Sequence, residues 1–195
     1  MIKLSRLFLY DDYKGTRDYL KVQGRYELAR TILYFAISLA LFVAGIIATG
    51  DRMNLLTIVA VLGCLPACKS AIDTFMFMRY KGCSGEYADE IDAHMDGLSG
   101  LYDRIFTSYD KNYQVAHITA RGNTLCGFTQ DKGFDEQRFR EHITNLLKKD
   151  GYKDVTVKVF DDIRKYTDRL EQLKALDAED KNTAGILNTL NSVSL

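Results

Sequence analysis

The chain has 195 residues, 47% of them hydrophobic, and its 26 basic and 26 acidic side chains cancel to a formal charge of zero. That length allows one or two domains, and the charge balance removes the global basic field that nucleic-acid binders carry, so no nucleic-acid partner is expected. Zero net charge with a large apolar fraction directs attention to how the apolar residues are distributed.

Residues 1–30 read as an N-terminal amphipathic segment on the cytosolic side. Ile2, Leu4, Leu7, Phe8 and Leu9 alternate with Lys3 and Arg6, a pattern that suits a membrane surface or padding for a soluble domain. From Thr16 to Arg30, Tyr19, Val22, Tyr26 and Ala29 fall at helical spacing with Arg17, Lys21 and Arg25 around them. The basic residues suit anionic headgroups or ordinary positive-inside flanking.

Residues 31–80 predict a transmembrane hairpin. Thr31 to Thr49 carries no charge, and at ~1.5 Å per residue it covers about 28 Å, close to a bilayer's hydrocarbon layer. A secretory signal has a shorter apolar run nearer the N-terminus, so a membrane span is the better reading. After the polar link Gly50-Asp51-Arg52-Met53, a second run is uncharged from Asn54 to Cys68 and then meets Lys69 and Asp73. Lys69 can snorkel its ammonium to the interface. Lys14, Arg17, Lys21, Arg25 and Arg30 before the first span, and Arg79 and Lys81 after the second, outnumber Arg52 in the link. Both termini are therefore expected on the cytoplasmic side of a multi-pass inner-membrane protein.

Ala36, Ala40, Ala44 and Ala48 form a small-residue stripe on the first span, and Ala60, Gly63 or Cys64, Ala67 and Ala71 form one on the second. Helices in lipid associate along such stripes, so the two are expected to face each other, with a homo-oligomer as the alternative. Lys69 and Asp73 share a helical face: an intramembrane ion or proton route, or an ion pair at the interface. Pro66, which lacks a backbone donor, can kink the helix just ahead of them. Cys64 and Cys68 read as packing residues, because a metal site needs further ligands that the spans do not supply. With the other two cysteines, Cys83 and Cys126, on the cytosolic side, no structural disulfide is expected.

Residues 83–177 predict a small α+β cytosolic domain. Ser84 caps a helix carrying Tyr87, Ile91 and Met95, and Gly97 and Gly100 follow it. Leu101–Tyr109, Tyr113–Ala120 and Thr124–Thr129 read as a three-strand antiparallel meander. Asp135 caps a helix with Phe139, Ile143, Leu146 and Leu147 on one face, and Gly151 marks its end. The run of Val155, Val157 and Val159 to Phe160 is a strand. Asp161 or Asp162 then caps a last helix with Ile163, Tyr166, Leu170 and Leu173 inward. Residues 178–195 are expected to be a flexible tail, the alternative being a weak docking helix through Ile186, Leu187, Leu190 and Val193.

The segments NLLTIVAVLGCLPACKS (54–70), ARGNTLCGF (120–128) and VTVKVF…YTDRLEQL (155–173) resemble an uncharacterised group of two-span membrane proteins of low-GC Gram-positive bacteria. The resemblance implies a bacterial inner membrane and no particular activity. The helix, three strands, helix, strand order is also similar to the core of restriction-endonuclease-like folds. That chemistry requires an acidic residue on the second strand and an acidic-x-Lys triplet on the third to hold a divalent cation. Tyr113–Ala120 and Asn123–Phe128 contain no carboxylate, so no catalytic residue is carried over.

Cys126 and His117 on neighbouring strands are a nucleophile–base pair by residue type, against the ordinary role of Cys126 as core filling. His94, His117 and His142 are scattered, and Gly122, Gly127 and Gly133 lack phosphate-loop spacing. No cofactor, metal site or catalytic motif is expected. The leading expectation is a bilayer-anchored, non-enzymatic domain that binds a protein or its own copies through sheet edges. The rivals are a membrane-tethered hydrolase or nuclease-like fold with an unrecognised or lost site, and a small channel or transporter subunit.

Overall fold

The computed structural model describes residues 13–176 and 182–195. The expectations for residues 1–12 and 177–181 lie outside them. The chain divides into two compact units, one of residues 20–81 and one of residues 13–19 with 82–195.

The first unit is a pair of long helices, α1 (Tyr19–Thr49) and α2 (Leu55–Arg79). Both are long and apolar enough to cross a membrane by length and composition. The basic segment before Thr31 and the apolar run after it belong to one uninterrupted helix. Asn54 closes the link: its Oδ1 accepts the Thr57 N–H at 2.9 Å, while its amide donates to Thr49 Oγ1 at 3.1 Å and to the Asp51 carbonyl at 2.7 Å. The Asn54 side chain thereby caps α2 and ties the link to the end of α1.

The second unit is built on a four-stranded sheet in the order β1 (Ser99–Thr107), β2 (Asn112–Arg121), β3 (Thr124–Phe128), β4 (Thr156–Phe160). The first three strands are antiparallel neighbours, and β4 runs parallel to β3, so the sheet is mixed. A parallel neighbour requires a crossover, which α4 (Glu136–Lys149) supplies. α3 (Gly85–Ala93), α4 and α5 (Ile163–Lys174) start at the side-chain caps Ser84, Asp135 and Asp162.

Two cores result. On one face Phe106, Tyr113, Val115, Ile118 and Leu125 pack with Phe139, Ile143 and Leu147 of α4. On the other Tyr102, Cys126 and Phe128 pack with Ala88 and Ile91 of α3 and Tyr166, Leu170 and Leu173 of α5. In β1, Asp103 takes a left-handed φ of 55°, which a short polar side chain tolerates, and accepts the Cys83 N–H at 2.7 Å.

The expected flexible tail is corrected for the described residues. Thr183–Val193 is a helix, α6, whose Ile186, Leu187 and Leu190 are buried in the α4-side core. Burying an aliphatic side chain stabilises by about 1.5–3 kcal/mol, and three of them outweigh the polar composition around them. Two backbone hydrogen bonds meet the outer edge of β1. Leu195 N–H donates to the Ile105 carbonyl at 2.9 Å, and Tyr102 N–H donates to the Gly15 carbonyl at 2.8 Å. These two bonds cover part of the β1 edge.

Candidate functional site

β3 and β4 point the same way, but the chain leaves them in opposite directions. From β3 it enters α4 on one face of the sheet, and from β4 it enters α5 on the other. Where two such connections part, a crevice opens at the carboxyl ends of the strands, the place where open α/β sheets bind ligands. A cleft of about 590 Å³ lies there.

Its walls are aromatic: Phe128 from β3, Phe160 from β4, Tyr87 from α3 and Phe134 ahead of α4. Other rings hold these in place. Phe128 meets Tyr87 edge-on at 5.6 Å and stacks on Tyr166 at 5.6 Å, while Phe134 packs on Phe139 at 5.1 Å. The rim is polar, with Gln130, Asp131, Lys132, Glu136 and Asp161. Thr129 donates to the Gln114 carbonyl at 2.8 Å, and Asp131 accepts the Gly133 N–H at 2.9 Å, so the loop between β3 and α4 is fixed by its own side chains. Gln130 reaches across to Ser84, accepting its N–H at 3.2 Å and joining the rim to the start of α3.

Of the three rim carboxylates, Glu136 is paired with Arg140 at 3.8 Å, Lys132 stands on the same rim, and the Lys158 ammonium lies 5.0 Å from the Phe160 ring. The positive ends of α4 and α5 also point toward this region, but Asp135 and Asp162 already accept their first free N–H groups, from Arg138, Arg164 and Lys165. Among the described residues, the cleft's lining holds neither a histidine nor a cysteine. Sequence reasoning missed it. The signal available was two acid-rich segments, Asp131–Glu136 and Asp161–Asp162, each directly after a strand.

The pair singled out on the strands lies elsewhere, in the α5-side core. His117 is paired with Phe128 and Cys126 with Thr119, and both are fully buried. His117 Nδ1 is 2.6 Å from the Tyr166 hydroxyl, and burial holds its pKa down at about 3. Burial pushes the Cys126 thiol up, with Arg169 nearby acting in the opposite sense. A thiol held protonated in a core beside an imidazole engaged by Tyr166 is not an activated nucleophile.

In the helical pair the seam differs from the expected one. Ala36, Ala40, Ala44 and Ala48 are all exposed, so this stripe does not face α2; Ala60 and Ala67 are buried, and Cys64 and Ala71 are half-buried. The α1 side of the seam consists of Gly24, Thr31, Ser38 and Gly45, at heptad intervals. Gly24 lies against Phe77, Ser38 against Gly63, and Gly45 against Asn54 and Leu56. Thr31 donates to Ser70 at 2.9 Å and sits 3.0 Å from the Thr74 hydroxyl. Glu27, accepting from Gln23 at 3.0 Å and paired with Arg30 at 3.1 Å, extends this polar interior toward the start of α1. Lys69 and Asp73 form an outward-facing ion pair at 3.3 Å, with the lysine side chain 79% exposed.

Large apolar side chains cover the outside of the same two helices. Ile32, Leu39, Ile47, Leu55, Leu65, Ile72 and Phe75 are among them, reaching 78% exposure at Ile47. No protein-family model, curated protein or solved structure matches the chain.

Proposed function

We propose that the chain is a two-span membrane protein whose α+β unit is a binding module held at the cytoplasmic face of the bilayer. One observation carries this reading: the helical pair is inside out relative to a water-soluble one. Small and hydroxyl-bearing residues fill its seam, and large aliphatic and aromatic residues cover its exterior. Leaving each such side chain in water forgoes about 1.5–3 kcal/mol. In lipid that cost vanishes, and close approach through Gly, Ser and Thr is what holds helices together. The excess of basic residues on the segments flanking the helices, against Arg52 in the link, supports a cytoplasmic position for both termini. The exposed Lys69–Asp73 pair supports an interfacial position rather than an ion route.

A membrane-tethered hydrolase is the second reading, and one observation favours it: three carboxylates, Asp131, Glu136 and Asp161, line a single cleft. Site-specific photo-crosslinking in cells separates the two. A photoreactive residue at Lys158, on the open strand beside the cleft, is expected to give a discrete protein adduct in the membrane fraction. The same residue at Tyr109, fully exposed in the β1–β2 turn, is expected to give none. No adduct at position 158, together with a hydrolytic activity abolished by Glu136→Gln or Asp161→Asn, would replace the binding module with the hydrolase.

A further inference from the structure

We draw no further inference here: the strongest candidate, the buried side-chain cluster near the start of α1 in which Gln23 Oε1 and Glu27 Oε2 have no hydrogen-bond partner among the described residues, carries nothing because those residues gather no metal-ligating group around it and nothing in the structure shows what would occupy it.

Discussion

Two buried basic residues of the α+β unit meet burial in different ways. Arg104 is fully buried, yet its Nε donates to the Tyr102 carbonyl at 2.9 Å, one guanidinium nitrogen donates to Asn191 at 3.0 Å, and the group lies 4.9 Å from the Tyr19 ring centre. Burial lowers its pKa only to about 10, so it stays charged and ties α6 to β1. His117, with the Tyr166 hydroxyl beside Nδ1 and, among the described residues, nothing bonded to Nε2, escapes the cost by staying neutral. Its folded pKa of about 3 lies below its ordinary 6.5, so the unfolded chain takes up the proton first as pH falls. The stabilisation is complete above pH 6.5 and is lost progressively from there down to about pH 3, at about 1.4 kcal/mol per pH unit. Denaturant midpoints measured across that window should fall steeply for the native sequence and much less for His117→Asn. Parallel slopes would mean that the imidazole is not held neutral. His117 was visible in the sequence as a titratable strand residue, but its burial was not, because only the packing of α3 and α5 encloses it.

At the scale of elements, the helical pair separates two kinds of small residue. A side chain at Gly45 would meet Asn54 at 2.6 Å and the Leu56 Cβ at 3.0 Å, whereas Ala40 faces outward. Gly45→Leu should therefore lower the thermal midpoint of the detergent-solubilised protein by several degrees, through the usual ~1–3 kcal/mol of overpacking, and Ala40→Leu should leave it nearly unchanged. The reverse ranking would restore the alanine stripe as the seam. The helices and most strands were legible because their apolar periodicity and caps are local: Ser84, Asp135 and Asp162 cap helices as their spacing suggests. The α2 side of the seam was legible, with Ala60 and Ala67 buried and Gly63 against Ser38, but the α1 side was not. Its heptad begins at Gly24, before the apolar run starts, and continues through Thr31 and Ser38, which look unremarkable beside four evenly spaced alanines. α6 was misread for a related reason. Asn182–Asn191 is a weak helix by composition, and its order comes from the sheet face that Ile186 and Leu190 cover. The cleft depends on the parallel pairing of β3 with β4, a contact between segments far apart in the chain.

For the molecule as a whole, the proposed role depends on where the exterior of the helical pair resides. Lipid around it makes the exposed leucines, isoleucines and phenylalanines a stabilising surface. Water around it makes them an aggregation-prone surface. The most direct measurement is cysteine accessibility in intact cells, in a chain whose Cys64, Cys68, Cys83 and Cys126 are replaced by serine or alanine. Single cysteines are placed at Arg52 in the link, at Leu39 on the exterior of α1 and at Tyr109 in the α+β unit. A membrane-impermeant maleimide should label position 52 from outside, position 109 only after lysis, and position 39 in neither case until the protein is denatured. Prompt labelling of position 39 in the lysed but native protein would put that surface in water and contradict the membrane anchor.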